Sequence, residues 1–358
     1  MMLTSEMARQ YAFDTILSRF FKTRDEDFFP SIRRESESFK WESNGIESPE
    51  DFILRIYRGL DEISNSDGKK VPLPPLFTGV SGWQNKTILN LQRRLQHLAS
   101  YVHAAILHGS FGSNDANAFS DLDVQIILSA KVFENRDSLA FIRKELRALH
   151  RLCFKIDPLA HHGFMFTTPY DLRSYPSIGL PYQLFSYGRT LVGENELDIQ
   201  EPALAWRGRI HVMNKKILHF EQRLEDKNIT QDIFHFKNDI AQFFIWPSLL
   251  LEAHGVYVYK KDSFDEAKWQ FPQYDWSSID EASAIRDSWR QRNPLRYFPD
   301  ALMLKESGPA VVAVSLCRRY VISRPSPVSR KRATDLFRRF LSLARLSVND
   351  TLKHYGEI

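Results

Sequence analysis

Ile106-Leu107-His108-Gly109-Ser110-Phe111-Gly112-Ser113, followed by Ser120-Asp121-Leu122-Asp123-Val124-Gln125-Ile126-Ile127-Leu128, decides how this chain is read. An apolar lead-in reaches a Gly-Ser turn. A polar loop follows, then a strand with carboxylates at i and i+2. Successive side chains of a strand point to opposite faces, so Asp121 and Asp123 project together, with Leu122 and Val124 on the other side. Two adjacent carboxylates repel one another and shift one another's pKa. A divalent cation relieves the repulsion, and Mg²⁺ takes one or two carboxylates together with substrate phosphates. Gly109 and Ser110 offer a backbone N–H and a hydroxyl to a phosphate, because glycine allows close approach.

Outward from this stretch the pattern is that of a small α/β unit. Ile88, Leu91, Leu95, Leu98 and Val102 recur at steps of three and four, one face of a helix with Thr87 or Asn85 as its N-cap. It leads into a first strand, Ala104 to Leu107. Asp121 to Leu128 is the second strand. Asp137 caps another helix, with Leu139, Ile142, Leu146 and Leu149 inside. Gly163 to Thr167 reads as a further strand.

A Gly-Ser turn, a loop, then Asp-x-Asp in an apolar strand resembles the nucleotidyltransferase superfamily that includes the DNA polymerase β-like enzymes. The matching residues are Gly109, Ser110, Asp121 and Asp123. A Gly-rich turn before an edge strand with two solvated aspartates is the plainer alternative, and it leaves Gly109, Ser110, Gly112 and Ser113 without a purpose. The resemblance implies an α+β fold: a small mixed-sheet catalytic domain at 85–200, an N-terminal helical extension at 1–84 and a C-terminal helical domain at 201–358. It also implies transfer of a nucleoside monophosphate from an NTP, ATP foremost, to an acceptor hydroxyl, with release of pyrophosphate. Asp121 and Asp123 would hold Mg²⁺, or Mn²⁺ in its place. Gly109 and Ser110 would cradle the phosphates.

The family normally adds a third carboxylate from a neighbouring strand. Here the chain reads Phe154-Lys155-Ile156-Asp157-Pro158-Leu159-Ala160-His161-His162-Gly163, and the residue just before the strand is a histidine. Pro158 disfavours a central strand at Asp157. Three alternatives stay open. Asp157 reaches the site from a loop; His162, or its neighbour His161, stands in its place, since a histidine titrates near neutrality; or part of the catalytic set is lost. Leu184 to Glu194, with Gly188 and Gly193 as turns around Leu191 and Val192, resembles the segment that closes such catalytic domains.

Residues 1–84 carry two helical stripes, Phe13 to Phe21 and Phe52 to Ile63, and then a Gly-, Pro- and Ser-rich link from Ser64 to Gly82. No chemistry attaches to them. Beyond Ala205 the reading is mostly helical, with a bend at Trp246-Pro247 and a stop at Gly255. Val256 to Phe264 then follows the form seen behind nucleotidyltransferase domains, a tyrosine-bearing link ending in Lys and Ser at a helix start. Helix N-termini favour anions. Lys260 or Lys261, with Ser263, would therefore hold the triphosphate or the departing pyrophosphate. The last helix, about Ser329 to Leu346, repeats Lys331, Arg338 and Arg345, and Arg332 and Arg339, at heptad spacing, a solvated face or a guide for RNA.

The chain has 358 residues and a net charge of +4, enough for more than one core and short of a dedicated nucleic-acid binder. A small-molecule or protein acceptor therefore fits better than a long nucleic acid. No apolar run reaches the roughly 18 residues of a membrane span, and the N-terminus has no apolar core like a signal peptide's. Cys153 and Cys317 read as buried thiols in a reducing, cytoplasmic setting. The rival from another class is a catalytically degenerate, nucleotide-binding regulator on the same fold, as in a toxin–antitoxin or defence pair.

Overall fold

The computed structural model describes residues 5–23, 25–38, 48–61, 69–72, 85–160, 163–176, 178–193, 196–200, 205–225, 232–290, 292–305 and 307–357. The elements run α1 (Ser5–Lys22), α2 (Asp25–Ser38), α3 (Pro49–Asp61), β1 (Lys69–Pro72), α4 (Lys86–Gln96), β2 (Val102–His108), α5 (Gly109–Gly112) and β3 (Asp123–Leu128). Next come α6 (Arg136–Ile156), β4 (Phe164–Thr167), α7 (Pro169–Arg173), β5 (Arg189–Gly193) and β6 (Glu196–Ile199). The rest is helical: α8 (Ala205–Glu225), α9 (Ile233–Ala253), α10 (Ser263–Gln270), α11 (Ser277–Asp287), α12 (Asp300–Met303), α13 (Pro309–Ile322) and α14 (Arg330–His354).

This is an α+β fold on a four-stranded mixed sheet of order β4-β3-β2-β5. β2 pairs antiparallel with β3 and β5, while β3 pairs parallel with β4 across the α6 crossover. Both faces of the sheet are covered. Ala105, Leu107, Val124 and Ile126 pack into the larger core with α1, α3, α4 and α6. Ala104, Ile106 and Ile127 face a smaller one under Tyr175, Tyr182 and Phe185. β1 and β6 form a separate antiparallel pair. The link expected between Ser64 and Gly82 therefore contains a strand.

The N-terminal helices pack into the larger core against the sheet. Phe13, Ile16, Leu17, Phe20 and Phe21 are all buried in it, and Phe21 stacks on Phe166 of β4 at 4.3 Å between ring centroids. Arg143 of α6 ties the group together. Its Nε donates to the Phe20 carbonyl at 2.8 Å and its Nη1 to Glu50 Oε1 at 2.8 Å, with the two side chains 3% and 8% exposed. A second core unites α8, α9, α11 and α14, with Phe220, Phe243 and Phe340 in mutual contact.

Several local expectations change. β3 begins at Asp123 and not at Asp121, because β2 ends at His108 and the chain turns away at Gly109, leaving nothing for residue 122 to pair with. Leu122 still packs beside Val124, so the alternation continues through Asp121. The α6 N-cap is Asn135 and not Asp137; its side chain accepts from the Ser138 N–H at 2.9 Å. Asn85, rather than Thr87, caps α4.

Replacing Arg143 with methionine strands the Glu50 charge in the core. The expected loss is about 3–5 kcal/mol in urea unfolding. A loss under about 1 kcal/mol, as for a surface pair, would show that the N-terminal helices do not depend on it.

Candidate active site

The two parts of the opening motif touch. α5 is a single turn entered at Gly109 with φ +63°, a left-handed conformation that glycine adopts without strain. A Cβ placed on Gly109 would stand 2.6 Å from Asp123 Oδ2. The carboxylate thus lies against the turn, in space that only a missing side chain leaves. Gly112 and Gly188 are equally tight: a Cβ on the first would meet the Leu107 carbonyl oxygen, and on the second the Ile106 side chain, both at 2.6 Å. The turn is therefore pressed onto the end of β2 and the start of β5.

Asp123 is half-buried, and its carboxyl is held well above the usual carboxylate range. Burial is the largest cause, then the Asp121 charge; Lys260 and Lys237 pull the other way, and Asp157 adds to the rise. Asp121 is itself partly exposed, so the pair opens to solvent at the end of the sheet.

His108 is the residue opposite Asp123 in the β2–β3 ladder, and side chains of directly opposed residues share a face. Its Nε2 is buried and has no hydrogen-bond partner among the described residues. Burial lowers the imidazole to about 4, with Asp121 drawing it up and Lys260 pushing it down, so it is neutral at physiological pH. Sequence reading passed over His108. The strand register that places it beside Asp123 was the available signal.

The helical part closes over the turn through the link between α9 and α10. The Tyr259 hydroxyl pairs with Ser113 Oγ, and Lys261 Nζ donates to Asp115 Oδ1 at 3.0 Å. From the other side, the loop that leads to Asp121 sends Phe119 into the helical core, edge-on to Phe244 at 5.6 Å and to Trp289 at 5.0 Å. These contacts set Lys260 against the carboxylates, and the charges of Asp123 and Asp121 act on its ammonium. Lys260 is an exposed residue, yet desolvation of its ammonium is the larger influence and lowers its pKa.

The other expected phosphate ligands stand elsewhere. Lys261 is exposed and paired with Asp115. Ser263 is fully buried; its hydroxyl donates to the Lys260 carbonyl at 2.7 Å and accepts from Ser248 at 3.0 Å, so it fixes the link instead of facing a ligand.

Asp157 ends α6, 3% exposed, and accepts from Lys237 Nζ at 2.5 Å and from the Leu159 N–H at 3.0 Å. Its charge is felt by Asp121 and Asp123, but its Oδ2 is taken by Lys237 and its Oδ1 by the Leu159 N–H. β4 begins level with Val124 and reads Phe-Met-Phe-Thr, with no acid. His161 and His162 lie outside the described residues.

Residues 88–166, from α4 into β4, match the family model of the nucleotidyltransferase domain. The chain carries a nucleotidyltransferase domain. No curated protein and no solved structure matches the chain. The matched span contains Gly109, Ser110, Asp121, Asp123 and Asp157, and ends before the lysines.

Among the described residues, no group of three or more His, Cys, Asp or Glu side chains is arranged to hold a metal ion. The nucleotidyltransferase family generally uses divalent metals. Two carboxylates that raise one another's proton affinity suit a hard cation that completes its shell with phosphate oxygens and water, as Mg²⁺ does. The donor set fits that group and not a closed all-protein cage. A groove of about 420 Å³ lined by Asp51, Leu54, Arg55, Glu134 and Arg136 lies elsewhere, at the Leu128 end of β3, opposite to the carboxylates.

The Gly109→Ala variant forces Asp123 off the turn and a non-glycine residue into positive φ. The expected result is a folded protein, destabilised by about 1–3 kcal/mol, whose affinity for an NTP in Mg²⁺ falls at least about tenfold by calorimetry. Unchanged affinity would detach the turn from the nucleotide.

Proposed function

We propose that the protein transfers a nucleoside monophosphate from an NTP, ATP foremost, to the hydroxyl of a small-molecule or protein acceptor, releasing pyrophosphate. The observation that carries this reading is the Asp123 carboxylate lying on Gly109, with the Asp121 and Lys260 charges beside it. Asp121 and Asp123 are the residues to hold Mg²⁺ or Mn²⁺; such an ion supplies positive charge against the triphosphate and lowers the pKa of the acceptor hydroxyl. The α5 turn presents backbone N–H groups and the Ser110 hydroxyl to the phosphates. Neutral His108, whose buried Nε2 has no partner among the described residues, lies beside Asp123. Lys260 offsets negative charge as the acceptor oxygen bonds to the α-phosphorus and the bond to the β-phosphate's bridging oxygen breaks.

In this reading residues 85–200 carry the chemistry and 201–358 form the far wall of the cleft. Residues 1–84 brace the sheet from behind. Cys153 and Cys317 are free thiols, which supports a reducing, cytoplasmic setting. No helix among the described residues is long and apolar enough to cross a membrane. The C-terminal ridge supports RNA binding weakly. Arg332 and Arg339 pair with Glu281, and Arg345 pairs with Glu221.

A second reading, a nucleotide-binding regulator without turnover, draws on Asp157. Its pairing with Lys237, and the absence of an acid on β4, leave two carboxylates where the family normally supplies three. One experiment separates the readings: each labelled NTP is incubated with Mg²⁺ or Mn²⁺, a host lysate and the purified protein. Transfer with pyrophosphate release, falling roughly a hundredfold or more in Asp121→Ala and Asp123→Asn, is the expected outcome. Binding without release supports the regulator, and full transfer by Asp121→Ala overturns the assignment of the site.

A further inference from the structure

The mild net charge of +4 conceals an uneven distribution. Residues 288–329, between α11 and α14, hold seven Lys and Arg against two Asp and Glu, a net of +5, so the other 316 residues net −1. One of the two acids, Asp300, is taken up by Lys155 of α6. Among the described residues, none of the seven cations is ion-paired with a carboxylate. Five of them, Arg290, Arg292, Arg296, Lys305 and Arg319, are exposed. Such a cluster on one stretch of surface is the electrostatic footprint of a polyanion site.

The same stretch leaves large rings in water. Tyr297 is 73% exposed and Tyr320 70%. Tyr297 ends a single 3₁₀ turn, Pro294–Tyr297, and the Arg296 guanidinium lies 4.5 Å from its ring centroid. On α13, Val312, Leu316 and Tyr320 stand at i, i+4 and i+8 along the outer face, beside Arg319, while Val314 and Val321 are buried on the inner one. The two elements share one footing. α13 packs on the 3₁₀ turn. Asn293, at the head of that turn, donates to the Phe154 and Lys155 carbonyls at 3.1 and 2.9 Å. Arg318 of α13 donates to the Pro158 and Ala160 carbonyls at 3.0 and 2.9 Å. Both elements thus rest on the end of α6 and the segment leading to β4, and their outward faces adjoin.

Exposed rings among cations that lack carboxylates suit a single strand of nucleic acid, which offers phosphates to arginine and unstacked bases to tyrosine. A second copy of the chain would bring like charge to like. An acidic protein would satisfy the cations without needing two flat aromatic faces. We propose that the Tyr297 turn and the outer face of α13 bind a single strand of nucleic acid, with its phosphates on Arg292 and Arg319 and its bases on Tyr297 and Tyr320. The surface does not depend on nucleotide transfer, and it adds a polymer that the reaction above does not require.

The test is fluorescence anisotropy of a labelled oligouridylate of about 20 nucleotides, titrated with the full chain in EDTA and without NTP, from roughly 50 to 200 mM salt. Binding that weakens steeply with salt is expected. Replacing both Tyr297 and Tyr320 with alanine is expected to weaken it about tenfold or more with the salt slope kept, while replacing both with phenylalanine stays within about threefold. Replacing both Arg292 and Arg319 with glutamine is expected to lower the slope by about 1.4. Thermal unfolding is expected to be unchanged in all three variants, since the side chains are exposed. The proposal is overturned if wild type does not bind, if the alanine variant binds as wild type does, or if the arginine variant keeps the full slope. It is also overturned if polyglutamate of the same length displaces the strand as well as unlabelled oligouridylate does, which would mark a surface for an acidic protein. Because no NTP or divalent cation is present, a failure here leaves the transferase reading standing, and strand binding by a protein that transfers no nucleotide keeps the surface and removes the transferase.

Discussion

A carboxylate resting on a glycine Cα is the contact on which the site depends. At Gly109 the chain leaves β2 in a conformation that a side chain would strain, and the space so left is filled by an oxygen of Asp123. That contact brings a phosphate-sized turn and an acidic pair to one point. It is also unfavourable by itself. Desolvation and the Asp121 charge both resist ionisation of Asp123, and only distributed positive charge, from Lys260 and Lys237, offsets them. In the function proposed above, a cation and a polyanion arriving together would relieve that repulsion.

The rest of the molecule holds this arrangement in place. Behind the sheet, Arg143 of α6 holds α1 through the Phe20 and Thr23 carbonyls and α3 through the Glu50 carboxylate. In front, two small exchanges join the sheet to the helices. Phe119 reaches from the loop before Asp121 into the helical core, and Tyr259 reaches back from the helical link to Ser113. Each part thus places a residue in the other's ground. The link that carries Lys260, whose charge acts on both carboxylates, is thus tied to both cores.

Much of this was legible in the sequence because it rests on local pattern. The 3.6-residue stripe of α4, the alternation through Leu122 and Val124, and the Gly-Ser and Asp-x-Asp spacing each report on neighbours along the chain. The α+β class and the nucleotidyltransferase domain followed from them. What escaped was non-local. His108 gains meaning only from a ladder that pairs it with Asp123. Ser263 looked like a phosphate ligand at a helix start, yet its hydroxyl is consumed by Lys260 and Ser248. Asp157 was weighed as a third ligand without sight of Lys237, which lies 80 residues further along and occupies it.

The most direct measurement is a crystal structure of the chain grown with Mn²⁺ and a non-hydrolysable ATP analogue, with the metal located by its anomalous signal. The account predicts manganese shared by Asp121 and Asp123, and a triphosphate seated on the Gly109–Ser110 turn with its far end toward Lys260. Manganese or triphosphate bound elsewhere, with the Asp123 carboxylate still resting on an empty turn, would contradict it.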